Sequence, residues 1–246
     1  MDNPELLDCF VKDFASLDGP KVLVHGGGVL ASTLQKALGQ TPVMIEGRRV
    51  TDEDTLRVVT MVYAGWCNKN VVAKLQAEGC NAIGLCGADA NVITAVKRPS
   101  KPVDYGFVGD IYPEGINCGM LLKFLEDGIT PVLCAINHDG KGSLLNTNAD
   151  TIASAVASAL SAKAEVDLTY CFEKNGVLSD KDDDASVIPL ITPSLYSSLK
   201  ADGVVADGMI PKIDNAFKAI SAGVGSVIIK HARNLSNDLQ TTIKYE

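Results

Sequence analysis

The chain has no surplus of positive charge. Its 22 lysines and arginines are outnumbered by 30 aspartates and glutamates, a formal net charge of −8. A protein that grips nucleic acid presents a basic face to the phosphates, so this balance argues against that class of partner. No apolar run approaches the roughly 18 residues that span a bilayer. The N-terminus lacks a basic segment followed by an apolar stretch, so no secretory leader is legible. The seven cysteines (Cys9, Cys67, Cys80, Cys86, Cys118, Cys134 and Cys171) form no Cys-x-x-Cys pair. Several lie inside apolar runs, where a thiol acts as a small hydrophobe. This usage points to a reducing cytoplasm, without disulfides or zinc. The three histidines, His25, His138 and His231, are too widely spaced for a metal-ligand pattern. What is there is a globular composition, 46% hydrophobic and 21% charged, with enough apolar residues for a real core.

Apolar runs and helical periodicity alternate along the chain. Residues 4–16 read as an amphipathic helix. Residues 21–25 are a short strand ending on Gly26-Gly27-Gly28, and a helix over 29–38 follows, closed by Gly39. Thr51 and Asp54 have capping-box spacing and open a long helix to about residue 78. Its Leu56, Val59, Tyr63 and Trp66 recur at three- and four-residue steps, and Gly79 supplies the stop. A strand over 82–86 is followed by an exposed hairpin of 92–97 with 105–108. Then come a helix over 120–126, a strand over 131–136, a small-residue helix over 150–161 and a strand over 166–171. The acidic turn 180–184 reads as a solvated loop. Helices over 193–200 and 212–222 precede a closing strand over 226–230. Near-continuous apolar strands separated by helices predict an α/β fold, a mainly parallel sheet covered on both faces in a three-layer αβα sandwich. No internal repeat is visible. A soft boundary near residue 165 divides an N-terminal lobe, 1–165, from a C-terminal lobe, 166–246.

Four chemical signals stand out. A strand ending in Gly26-Gly27-Gly28 and feeding a helix presents bare backbone N–H groups at a helix N-terminus, a geometry that binds phosphate or carboxylate. The same glycines also suit an ordinary tight turn. Their spacing is not Gly-x-Gly-x-x-Gly, which disfavours a dinucleotide fold. Arg48 and Arg49 stand at the mouth of the next helix. An arginine there can grip a carboxylate with two parallel bonds, or be a solvated surface residue. Asn146, Asn148 and Asp150 alternate just before and into the alanine-rich helix, more polar side chains than capping needs. Lys212 follows Pro211 at a helix start, where a cation opposes the helix dipole and so suggests a partner of negative charge.

Together these motifs resemble the acetylglutamate kinases of the amino-acid kinase family. The likeness rests on Val-His-Gly-Gly-Gly at 24–28, Gly-Arg-Arg-Val-Thr at 47–51, Val-Gly-Asp-Ile at 108–111, Asn-Thr-Asn-Ala-Asp at 146–150 and Asp-Gly-Met-Ile-Pro-Lys at 207–212. The resemblance implies the amino-acid kinase fold and ATP-dependent phosphorylation of the γ-carboxylate of N-acetyl-L-glutamate, or its N-succinyl analogue, in arginine biosynthesis. It implies that Gly27 and Gly28 hold the reacting carboxylate and the transferring phosphate. Arg49, Asn146 and Asn148 would fix the acylglutamate, Asp150 would orient the catalytic lysines, and Lys212 would neutralise nucleotide phosphates. The C-terminal lobe would carry ATP with Mg²⁺, around Phe172, Gly176, Val177, Leu178, Val205, Asp207 and Lys212, with no protein ligand to the metal. A cytoplasmic homodimer is implied as well. Another kinase of the family, or a binding protein without turnover, is the alternative. Two departures qualify the likeness. The family opens on a strand carrying Lys-x-Gly-Gly, and no residue before Lys21 fits it, so that lysine is expected upstream of Met1. The family's Ser-Asp-Val-x-Gly turn is here Cys171-Phe172-Glu173-Lys174-Asn175-Gly176.

Overall fold

A computed structural model describes residues 2–205 and 209–245, the side chain of Pro211 excepted. The chain forms two compact units, Met1–Ile152 and Ala153–Glu246.

The first unit opens with α1 (Pro4–Ser16). The Asn3 side chain accepts from the Leu6 N–H at 3.0 Å, and Pro4 supplies a preset first turn. Next come β1 (Leu23–His25), α2 (Gly28–Ala37) and a small hairpin of β2 (Met44–Ile45) with β3 (Arg48–Arg49). A long helical segment follows: α3 (Glu53–Thr60), a π-helical stretch (Met61–Cys67) and α4 (Asn68–Ala77). Then come β4 (Ala82–Leu85), β5 (Val96–Lys97), β6 (Gly109–Asp110), α5 (Cys118–Glu126), β7 (Thr130–Cys134), β8 (Ile136–His138) and β9 (Leu144–Asn146). The sheet has the order β1-β7-β4 and is parallel throughout, with Leu23 and Gly84 both opposite Val132. Its central strand β7 is buried at all five positions, which is why it reads as an unbroken apolar run. Helices α4 and α5 pack on this sheet, and α1 packs on α4.

The division between units falls within α6 (Ala149–Ser161). This is earlier than the boundary near 165 read from the sequence. The second unit contains β10 (Asp167–Phe172), β11 (Leu190–Ile191), α7 (Pro193–Ala201), α8 (Met209–Ser221), β12 (Ser226–His231) and β13 (Gln240–Ile243). Its sheet order is β10-β12-β13-β11, and β13 runs antiparallel to β12. Leu168, Tyr170, Val177, Ile191, Ile213, Val227, Ile229 and Ile243 form its buried core. Among the described residues no helix is long and apolar enough to cross a membrane.

Four local expectations need correction. The long helix is capped by Asp52, whose carboxylate accepts from the Thr55 N–H at 2.8 Å. Thr51 instead turns its hydroxyl to the Arg49 carbonyl, so the capping box does not form. Trp66 is 68% exposed, although the periodicity places it inward with Val59 and Tyr63. The intervening π turn is wider than an α turn, and it moves the buried face on to Cys67, Val71 and Leu75. The expected partner of 92–97 is displaced: Val96 and Lys97 pair with Asp110 and Gly109, while Tyr105 accepts from the Thr51 N–H. Finally, 226–230 is not the closing strand, because β13 follows it. The seven cysteines are free, and burial pushes the thiols of Cys67 and Cys171 up to about 11 and Cys134 to about 12. Such thiols stay protonated and inert at neutral pH.

Candidate active site

Where β1 runs out, the chain turns through Gly26 and Gly27 into α2. Gly27 has φ +155°, a value that side-chain-bearing residues rarely adopt. A Cβ at Gly27 would also lie 2.9 Å from Cys67 Sγ and 3.0 Å from Tyr63 Cδ1, both on the π-helical stretch. The π turn thus presses two side chains onto the glycine turn and leaves space only for backbone. Before the turn, His25 is buried, with Nδ1 2.8 Å from the Gly26 carbonyl and Nε2 3.1 Å from Asn68 Nδ2. The carbonyl accepts and the amide donates, so the imidazole is neutral with its proton on Nδ1. Burial lowers the His25 pKa to about 4, in keeping with that tautomer.

The turn opens on a cavity of about 190 Å³ lined by Gly26, Gly27, Gly28, Arg49, Asn146 and Asn148 among others. Five residues singled out from the sequence, Gly27, Gly28, Arg49, Asn146 and Asn148, therefore meet at one place. Arg49 is not a solvated surface arginine: only 7% of it is exposed. Its Nη2 donates to the Gly28 carbonyl at 2.9 Å and to Ser32 Oγ at 2.8 Å, and its Nη1 donates to Gln35 Oε1. All three acceptors are neutral. Among the described residues no carboxylate pairs with it, and its buried Nε has no hydrogen-bond partner. A buried cation left in this state is costly unless an anion joins it.

Asn146 is held by its Nδ2, which donates to Thr51 Oγ1 at 3.0 Å, and by its backbone N–H, which donates to the Phe107 carbonyl at 2.9 Å. Asn148 does cap: its Oδ1 accepts from the Thr151 N–H at 3.0 Å, which leaves its amide group for the cavity. Asp150 stands in the first turn of α6. Asp110, within the 108–111 motif, is engaged with the guanidinium of Arg98, the residue that follows β5.

In the second unit, Lys212 lies in the first turns of α8 with its ammonium 3.6 Å from the centroid of the Phe172 ring. The aromatic residue that departs from the family's turn thus forms a cation–π contact with the lysine. Gly176 is buried, and a Cβ there would sit 2.6 Å from Thr241 Oγ1. Val177 and Val205 are each 2% exposed in the core, so only their backbones could meet a ligand. Leu178 bridges to Val187. Asp207 lies outside the described residues. Among the described residues no cluster of three or more His, Cys, Asp and Glu offers a metal site.

Two cavity neighbours escaped sequence reasoning. Tyr63 lines the cavity beside Arg49: burial pushes its phenol up from the ordinary value, and the guanidinium pulls the other way. Gln35 is 1% exposed and bonded to Arg49. The available signal was a polar stripe, Gly28, Ser32 and Gln35, at helical spacing on α2.

Comparison with known proteins identifies the family. Residues 1–231 match the amino acid kinase family. The acetylglutamate kinase of Phocaeicola vulgatus is 54% identical over 238 residues, covering 97% of this chain and 92% of the relative. That of Cytophaga hutchinsonii is 55% identical over 236 residues, covering 96% and 89%. The crystal structure of smu.665 from Streptococcus mutans superposes with a TM-score of 0.77 at 30% identity, over 99% of this chain and 93% of that one. The chain belongs to the amino acid kinase family, and its sequence stands among that family's acetylglutamate kinases.

Proposed function

We propose that this protein transfers the γ-phosphoryl group of ATP to the γ-carboxylate of an N-acyl-L-glutamate, acetyl or succinyl, in arginine biosynthesis. The observation that carries this reading is Arg49, a buried guanidinium with neutral acceptors only, facing a small cavity beside a glycine turn. A dicarboxylic acid supplies the missing negative charge there. Its second carboxylate can then reach the bare backbone of Gly27 and Gly28.

The chemistry asks little of the protein beyond placement. A carboxylate is already a nucleophile, so no general base is needed, and the γ-phosphoryl group passes to its oxygen in line with the departing ADP. Gly27 and Gly28 hold the reacting groups, while Arg49, Asn146 and Asn148 fix the acylglutamate. Asp150 orients the catalytic lysines, and Lys212 neutralises nucleotide phosphate charge as one of them. The nucleotide lies on the C-terminal lobe, near Phe172, Gly176, Val177, Leu178, Val205 and Asp207. Mg²⁺ would be carried by the ATP phosphates, whose charge it would screen. The enzyme acts as a cytoplasmic homodimer.

ADP release is to be measured with N-acetyl-L-glutamate, N-succinyl-L-glutamate, glutamate and carbamate as acceptors. Turnover confined to the first two supports the reading, and turnover with glutamate or carbamate instead overturns it. Arg49→Lys should raise KM for the acylglutamate about tenfold or more while leaving KM for ATP in place, because an ammonium cannot reproduce the planar two-bond grip. An unchanged acylglutamate KM would remove Arg49 from the site.

A further inference from the structure

Arg49 lies along one face of α2, where Gly28, Ser32 and Gln35 receive its two terminal nitrogens. Gln35 differs from the other two. It is 1% exposed, and its side-chain amide is tied on both sides. Nε2 donates to Thr55 Oγ1 at 3.0 Å and, at 3.4 Å, to Gln40 Oε1, while Oε1 accepts from Arg49. A guanidinium only donates, so the amide has one workable orientation. Thr55 is fixed in turn by the first turn of α3, where its N–H is held by Asp52. A relay of neutral groups therefore runs from the capped start of α3 through Thr55 and Gln35 to Arg49.

We propose that Gln35 is a positioning residue for the acid-binding arginine: it aims the Arg49 guanidinium at the cavity while leaving its charge uncompensated. The inference rests on the reading of this cavity as the acylglutamate site. A carboxylate at position 35 would hold Arg49 as firmly but would neutralise it. An apolar side chain there would leave Nη1 unsatisfied and the guanidinium free to turn. A neutral acceptor that is itself oriented does neither.

The test uses calorimetric binding of N-acetyl-L-glutamate and N-succinyl-L-glutamate, with steady-state KM for each substrate, on the wild-type chain and three variants. Gln35→Glu is nearly isosteric and should weaken acylglutamate binding about tenfold to a hundredfold, the range for one hydrogen bond to a charged group. KM for ATP and the melting temperature should hold. Gln35→Met should weaken acylglutamate binding as well. Should both variants fail to fold, Thr55→Val, which removes the acceptor orienting Gln35, should raise the acylglutamate KM, and Thr55→Ser should restore it. If the wild-type chain binds acylglutamate and neither Gln35→Glu nor Thr55→Val shifts that affinity, Gln35 only fills space and the inference is overturned. If the wild-type chain binds neither acid, the reading of the site fails and the role of Gln35 falls with it.

Discussion

At the scale of single residues, the candidate site sets buried polar groups, His25, Gln35, Arg49 and Asn146, around its glycine turn. His25 is neutral because burial penalises its charged form and outweighs the Gly26 carbonyl, which favours it, while the Asn68 amide donates to the other ring nitrogen. Its folded pKa, about 4, lies below the ordinary 6.5. Between those values the unfolded chain binds a proton that the folded chain refuses. Stability from this group is therefore fully present above pH 6.5 and is lost as pH falls toward 4, by about 3 kcal/mol for a shift of this size. Chemical denaturation at pH 7 and pH 4.5 should show this loss, and His25→Gln should show a shallower one. Equal pH slopes would mean that His25 titrates alike in the native and unfolded states. Of these residues, sequence reading found those whose motif announced them: Gly27, Gly28, Arg49, Asn146 and Asn148. It placed Arg49 by chemistry but not by burial, because nothing in Gly-Arg-Arg-Val-Thr tells which arginine turns inward. Gln35 and Tyr63 stayed hidden because their partner lies elsewhere in the chain and each occupies a helical position that reads as ordinary packing.

Secondary-structure elements were legible where burial is uniform and obscure where it alternates with polar residues. The apolar run over 131–136 reads as a strand, and its first four residues lie in β7, the centre of the first sheet. In contrast, β13 reads Gln-Thr-Thr-Ile, and its inward face is the buried pair Thr241 and Ile243. A buried threonine does not register as apolar, so the alternation vanished. The π-helical stretch was invisible for a related reason: periodicity assumes one turn size, and Trp66 marks where that assumption breaks. This irregular turn places Tyr63 and Cys67 against Gly27. Gly27→Ala should therefore cost about 1–3 kcal/mol for the backbone conformation alone, with a further penalty for the contact at Cys67. Adding Cys67→Ala should recover the contact penalty but not the backbone cost. Melting temperatures of the single and double variants, read beside acylglutamate turnover, check this. A Gly27→Ala protein as stable and active as wild type would show that the turn tolerates a side chain.

For the whole molecule, the alternating pattern gave the α/β class, and membership of the amino acid kinase family agrees with it. The position of the division did not follow from composition, because α6 crosses it without any change in residue type. The second unit depends on its last strand. β13 lies between β12 and β11, and β11 pairs only with β13 within that sheet. Removing residues 239–245 should leave β11 without a partner and empty the core position of Ile243, which is 0% exposed. Loss of that side chain alone costs about 2–5 kcal/mol. Hydrogen exchange should then show β10 and β12 unprotected while β1, β4 and β7 keep their protection. Retained protection in β10 and β12 would mean that the sheet closes without β13. This ordering also bears on synthesis. A ribosome delivers the chain from its N-terminus at about 5–20 residues per second, and units fold as they emerge. Every strand of the first unit precedes Thr147, whereas β11 waits for a partner delivered only when Gln240–Ile243 leaves the exit tunnel. During that interval the nascent protein is half a scaffold, with its second sheet open to chaperone or protease.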